Sequence, residues 1–182
     1  MLVITIPLDI FIISLIVVMI IILSLYLFIR QKKKMKNFIA NVIHLLMKSG
    51  MENIQYFKRT RLYNISFKNN NNNYAIKIYK GGSKKGFIMT NPSTIHATTY
   101  SSQYGPVKDS KQATKLIPFL IEPFNGKKII LIYKNMLRIT KYINENEIEE
   151  VKYDIPSFGT YIVQEKDLSN FIEYIKNKKN KR

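Results

Sequence analysis

The chain has 182 residues, 29 Lys and Arg against 12 Asp and Glu, a net charge of +17, and no cysteine. The missing cysteine excludes disulfide frameworks, cysteine zinc sites and thiol nucleophiles. Every cation follows residue 29 and only Asp9 precedes it, so the remainder carries 29 − 11 = +18. A field of that sign draws polyanions, nucleic acid or an acidic lipid surface. Lys, Asn, Ile and Tyr are also the residues of A- and T-rich codons, so mutational bias is the competing source of the charge.

Ile10 to Ile29 is a run of 20 residues without a charge, and sixteen of them are Ile, Leu, Val or Phe. At ~1.5 Å per residue the run spans about 30 Å, the hydrocarbon thickness of a bilayer. At roughly −0.4 kcal/mol per large apolar side chain, insertion gains about 6 kcal/mol. Residues 1–29 are therefore expected to be a membrane anchor with a transmembrane helix at about 10–29, and the lipid bilayer is its partner. Residues 30–36 form a basic juxtamembrane segment in which Arg30, Lys32, Lys33, Lys34 and Lys36 meet the membrane surface. Positive flanks stay inside, which predicts an outside N-terminus and a cytoplasmic C-terminal domain. A cleaved signal peptide is disfavoured, because the cations lie on the wrong side and no small-x-small site follows.

Residues 37–175 then read as one basic α+β domain, with 176–182 as a basic tail. Asn37–Ser49 predicts an amphipathic helix, with Phe38, Val42, Leu45 and Leu46 on one stripe and Gly50 as its stop. This helix can continue directly from the anchor. Ile54–Lys58 is a short strand candidate. Leu62–Lys68 and Tyr74–Tyr79 alternate, and Asn69–Asn73 joins them as a free polar loop of a β-hairpin. Gly81-Gly82-Ser83-Lys84-Lys85-Gly86 reads as a basic turn. It lacks the Lys-Ser/Thr that a phosphate loop needs after its last glycine. Thr90–Lys108 predicts a surface loop, and Ser110–Ile117 a short helix capped by Asp109 or Ser110 and ended by Pro118. Asn125-Gly126 is a turn signal before a buried strand at Ile129–Tyr133. Met136–Ile143 fits helix and strand spacing equally. Ile148–Ile155 and Gly159–Val163 predict strands. Asp167 is expected to cap a last helix built on Leu168, Phe171, Ile172 and Ile175.

Candidates for chemistry are few. His44 and His96 lack partners at ligand spacing, and no HExxH or GxSxG occurs, so the sequence predicts no metal site and no cofactor. Glu150 and Lys152 form a Glu-x-Lys on a predicted strand face. There a carboxylate could hold a divalent metal while the ammonium stabilises an attacked phosphate. No acid stands on the preceding strand to complete that pair. The densest mixture of cations and rings is Tyr56-Phe57-Lys58-Arg59-Thr60-Arg61-Leu62-Tyr63. Lys58, Arg59 and Arg61 can neutralise phosphates, and Tyr56 can stack on a base. Tyr63 alternates with Ile65 and Phe67 and is expected on the core face.

The order helix, Gly50, short strand, strand 62–68, turn, and Tyr74-Ala75-Ile76-Lys77-Ile78-Tyr79 resembles the core of the Mrr-type restriction-endonuclease-like family. The strand Ile129–Tyr133 and the final helix suit that family's second half. The resemblance implies a restriction-endonuclease-like fold without its chemistry. Asn64 stands at the family's aspartate position. Lys77, Ile78 and Tyr79 stand at its Gln-x-Lys, with Lys80 one residue out of phase. A competing picture takes Ile129–Ile155 as a three-stranded meander before a terminal helix, similar to the second half of pleckstrin-homology-like domains.

The resulting expectation is an α+β domain that binds a polyanion at the cytoplasmic membrane face without catalysis. A membrane-anchored scaffold is the alternative, and a metal-dependent nuclease the third reading; the sequence names no protein partner. Replacing Lys32, Lys33, Lys34 and Lys36 with Glu should weaken or invert the membrane orientation, because these residues carry the charge asymmetry. Protease protection of the domain in sealed vesicles reads the result. Unchanged protection after the reversal would reject this account of topology.

Overall fold

The structure is a computed structural model that describes residues 8–58, 62–102, 105, 107–144 and 147–178, with side chains from residue 12 onward. It divides into two compact units, Met1–Asn41 and Val42–Arg182.

Helix α1 spans Leu8–Lys48, 41 residues without a break. The apolar run, the basic segment and the predicted amphipathic helix are thus one element. Large apolar side chains from Ile12 to Ile29 expose between 44 and 67 % of their surface. Its most apolar stretch has a mean hydropathy of 3.2. No aqueous surface helix is apolar all round. This is one helix long and apolar enough to cross a membrane, near the N-terminus.

The stripe written into the last turns is observed: Phe38, Val42 and Leu46 are buried. Gly50 ends the helix with φ +78. The Gly50 amide donates to the Met47 carbonyl and the Met51 amide to Leu46, at 3.0 and 3.1 Å. That pair of bonds is a Schellman motif, which glycine's freedom at positive φ permits.

The second unit contains two five-stranded sheets. The first has strands β1 (Glu52–Tyr56), β2 (Ile65–Asn69), β3 (Asn72–Lys80), β7 (Lys127–Tyr133) and β10 (Thr160–Gln164), in that spatial order. The second is ordered β6 (Val107–Gln112), β5 (Thr94–Tyr100), β4 (Lys85–Asn91), β8 (Arg138–Asn144) and β9 (Glu147–Glu150). Helices α2 (Ile117–Ile121) and α3 (Leu168–Asn177) complete the unit.

A single ribbon joins the sheets. β3 and β7 pair in parallel, and their continuations β4 and β8 pair in parallel in the other sheet. The register changes by one residue on the way: Lys80 faces Tyr133 (133 − 80 = 53) and Gly86 faces Arg138 (138 − 86 = 52). Gly81 sits at that turn, its amide bonded to the Tyr133 carbonyl at 2.8 Å. A Cβ there would land on the Lys134 carbonyl oxygen. A Cβ at Gly86 would meet the Arg138 carbonyl at 2.6 Å and the Tyr100 ring at 2.8 Å. These glycines allow close backbone approach, which explains the motif without any phosphate. The predicted turn is present between them, closed by Lys85 N–H to the Gly82 carbonyl.

β7 is the centre. Ile129, Ile130, Leu131 and Ile132 are each no more than 1 % exposed, buried on both faces. Their burial contributes about 6–12 kcal/mol of gross transfer free energy. On one face Ile130 and Ile132 join Ala75, Ile162, Phe87, Met89, Ile95 and Ile139 in a core between the sheets, closed by Leu116, Phe119 and Leu120. On the other face Phe67 stacks on Tyr74, with centroids 4.9 Å apart, and Tyr161 packs 5.3 Å from Phe171 of α3. The buried stripe Leu168, Phe171, Ile172 and Ile175 is as predicted.

Several expectations are corrected. β1 begins two residues before Ile54 and carries a bulge. The predicted loop Thr90–Lys108 holds the end of β4, all of β5 and the start of β6, because its Thr and Tyr side chains suit a pleated surface. Ser110–Gln112 finish β6 rather than start a helix. Pro118 lies in the first turn of α2, where no amide is needed, instead of ending a helix. Residues 138–144 are strand, and the next strand stops at Glu150 instead of reaching Ile155. β7 belongs to one sheet and β8–β9 to the other, so Ile129–Ile155 is not a meander. Asp167 stands before α3 but makes no side-chain cap bond.

The asparagine run is not a free loop. Asn72 and Asn73 open β3, Asn69 closes β2, and only Asn70-Asn71 turn, with Asn70 at φ +57. Asn69 is buried and its Nδ2 donates to the Ile175 carbonyl at 2.9 Å, fastening the hairpin to α3. Asn69→Ala should lower stability by about 1–3 kcal/mol, the cost of leaving that buried carbonyl unpaired. Asn71→Ser should stay within about 0.5 kcal/mol. Urea unfolding of both variants checks the contrast, and equal effects would reject it.

Candidate polyanion interface

Arg30, Lys32, Lys33, Lys34 and Lys36 are exposed on α1. At ~1.5 Å rise, they occupy about 10 Å of helix directly after the apolar run. Lys32 Nζ lies 4.2 Å from the Phe28 ring centroid, a cation–π contact at the edge of the apolar run.

The second cationic segment follows β1. Tyr56 is 43 % exposed and Lys58 is exposed, whereas Arg59 and Arg61 lie outside the described residues. Tyr56 faces Ile65 across the strands, and Gln55 faces Ser66. Tyr56 therefore stands on the α3 side of the sheet and Gln55 on the opposite side.

Tyr63 packs on a core face, as expected, but not on the one that Ile65 and Phe67 share. Its ring stands edge-on to Phe57 at 5.3 Å and to Phe124 at 5.9 Å, and it packs against the core between the sheets. The cause is Asn64. Its amide donates to the Ile76 carbonyl, its carbonyl accepts from Phe57, and its Oδ1 accepts from the Ile78 amide at 2.9 Å. The chain bends there and β2 begins only at Ile65, so Tyr63 falls outside the strand's period of two. The side chain at the resemblance's aspartate position is thus an acceptor for the neighbouring strand, not a metal-ligating carboxylate.

Beside this aromatic cluster lies a polar depression of about 200 Å³, lined by Asn53, Gln55, Ser66, Lys68, Asn73, Tyr63 and Phe124 among others. Sequence reading missed it. Its residues come from three strands and two connections, and none forms a local motif.

The other cations differ in availability. Lys77 is half-buried on the face between the sheets, and burial holds its pKa below the usual lysine value. Lys80, three residues on, is exposed on the opposite face. Lys128 donates to the Leu120 and Glu122 carbonyls at 2.7 and 2.6 Å, over the Phe119 ring. Burial lowers its pKa, and the charge of Glu122 partly opposes that. It closes the carbonyl end of α2, where a cation complements the orphan acceptors.

Glu150 and Lys152 do not share a strand face. Glu150 is exposed at the end of β9, while Lys152 lies beyond the strand. The neighbouring Glu149 pairs with Lys141 at 2.9 Å. Among the described residues no three His, Asp or Glu side chains stand close enough to hold a metal ion. His44 is exposed on α1, and His96 is half-buried in β5.

No protein-family model, curated protein or solved structure matches this chain. Fold and surface define an α+β domain of two five-stranded sheets that follows one helix long and apolar enough to span a membrane.

Lys128→Met keeps the aliphatic stem and removes the two carbonyl bonds. Stability should fall by about 1–3 kcal/mol, measured by urea unfolding, while affinity for a polyanion stays unchanged. A stable variant with weakened binding would instead place Lys128 in the interface.

Proposed function

We propose that this chain is a membrane-anchored, non-catalytic basic domain that binds a polyanion at the cytoplasmic membrane face, nucleic acid ahead of acidic lipid. The observation that carries the reading is the segregation of its acids. Five of the 12, Glu145, Glu147, Glu149, Glu150 and Asp154, lie between positions 145 and 154. β9, which holds three of them, is the outer strand of the second sheet. Setting aside that stretch and Asp9, the rest carries 28 cations against 6 acids. Codon bias explains abundant lysine, but it does not explain five acids gathered within ten residues, three of them on one outer strand. Outside that stretch cations outnumber acids more than fourfold, a balance that attracts a polyanion.

The Mrr-like reading fits a binding role. Helix, Gly50, β1, β2 and β3 follow in the order on which the resemblance rests, and Asn64 occupies the acid's position. A fold of that kind without its metal-binding carboxylate keeps a surface for nucleic acid and loses hydrolysis. The lipid reading has its own support. The exposed cations of α1 directly follow the apolar run, and each is worth about 1 kcal/mol near an anionic surface. The cytoplasmic orientation rests on the same residues.

The test uses the full chain in neutral-lipid nanodiscs and a single-stranded oligonucleotide. Affinity should fall steeply with salt. Changing Lys58, Arg59 and Arg61 to Ala should reduce the slope of log affinity against log salt by about 0.7 per lost contact, roughly 2 units in all. An unchanged slope in a folded variant would remove this segment from the interface. Binding to anionic vesicles with none to oligonucleotides would assign the charge to lipid, and binding to neither would favour the scaffold.

A further inference from the structure

The sheet that carries the basic segment also carries a site of a different chemical kind. We propose that the depression over β1, β2 and β3 is a pocket for one unpaired nucleobase, adenine preferred, of a single-stranded nucleic acid. The proposal rests on the polyanion reading and makes its nucleic-acid arm specific.

The pocket begins with a defect in an edge strand. The register between β1 and β2 shifts between Glu52 and Gln55, and Asn53 takes φ +50. A non-glycine residue there is uncommon, although asparagine tolerates it best. A bulge of this kind turns a side chain off its regular face, and Asn53 lines the depression together with Gln55. Ser66 stands opposite Gln55, and Asn73 lies one strand further in, opposite Lys68. Three adjacent strands thus present a row of amides and a hydroxyl. Asn73 donates its Nδ2 to the Asn125 carbonyl at 3.3 Å, which leaves its Oδ1 to accept.

Charge argues for a base rather than a phosphate. Lys68, the one cation in the lining, has Glu52 opposite it on β1. The polar row is therefore close to neutral, while Lys58 stands on the chain that leaves β1. Phosphates would follow that basic segment, and a planar, uncharged group with donors and acceptors suits the row.

The wall is aromatic. The Tyr63 and Phe124 rings are half-buried, inclined at 61° to each other, and both line the depression. Sequence-tolerant stacking on such rings is how single strands are held. Asn and Gln amides pair in two-point fashion with the adenine edge, which sets the preference. A volume of about 200 Å³ falls below the roughly 300 Å³ where drug-sized ligand pockets begin, and it suits one ring system.

The experiment compares three 12-mers of equal charge on the full chain in neutral-lipid nanodiscs: oligo(dA), oligo(dT) and an abasic strand. Oligo(dA) should bind about 5- to 150-fold tighter than the abasic strand, the range for one stacked base, with oligo(dT) between them. Gln55→Ala and Ser66→Ala should each remove most of the difference between oligo(dA) and oligo(dT), which the polar row sets. They should leave abasic binding and the salt slope unchanged. Gln55→Glu, on an exposed edge position, should act in the same direction, and circular dichroism confirms that each variant is folded. Equal affinity for oligo(dA) and the abasic strand, or folded variants that keep the difference between oligo(dA) and oligo(dT), would overturn the pocket while the polyanion reading stands. Failure of all three strands to bind would overturn both.

Discussion

The parallel pairing of β3 with β7, carried on as β4 with β8, is the constraint from which the rest of the domain follows. Parallel strands cannot be joined by a tight turn and need long crossovers. The crossover from β4 to β7 holds β5, β6 and α2, and the crossover from β8 to β10 holds β9. Each sheet grows outward from the shared ribbon. Because the ribbon turns at Gly81 and Lys134, the two sheets face each other and bury one core between them. A side chain at Gly81 would block that turn, and both sheets would lose their common axis.

Such a frame leaves little freedom for the polar groups near it, and the structure meets that demand with its own lysines and asparagines. Lys128 closes the carbonyl end of α2, Asn64 substitutes for a strand partner at Ile78, and Asn69 ties the hairpin to α3. Buried carbonyls and amides must find partners, and here polar side chains supply them. Part of the large lysine and asparagine content is therefore internal scaffolding. Among the described residues, the cations of the two candidate segments that are exposed are Lys58 and those in the basic turns of α1.

The candidate interface reflects the same economy of position. A polar depression opens where the edge strand bulges and where the bend at Asn64 throws Tyr63 out of register. Along the chain the two irregularities flank Lys58. They provide hydrogen-bonding groups and ring faces next to charge, the combination that a single-stranded nucleic acid requires. The acids of β9 stand on the other sheet, at its outer edge.

The sequence by itself determined whatever depends on neighbours along the chain. The anchor helix follows from an unbroken apolar run, the stop at Gly50 from glycine's freedom at positive φ, and the α3 stripe from the 3.6-residue period. The strands β3, β7 and β10 follow from their alternation or apolarity. Tertiary structure alone decided what depends on distant partners. Thr90–Lys108 carries no periodic signal, yet it forms strands because β4 offers an edge for β5. Residues 136–143 fit two periods, and the parallel partner β4 selects the strand. Tyr63 left the period of its strand because hydrogen bonds from another strand to Asn64, not its own spacing, fixed the backbone beside it. The pocket drew its lining from residues 53 to 124 for the same reason: side-chain period is a local property, whereas register between strands is set by pairing across the chain.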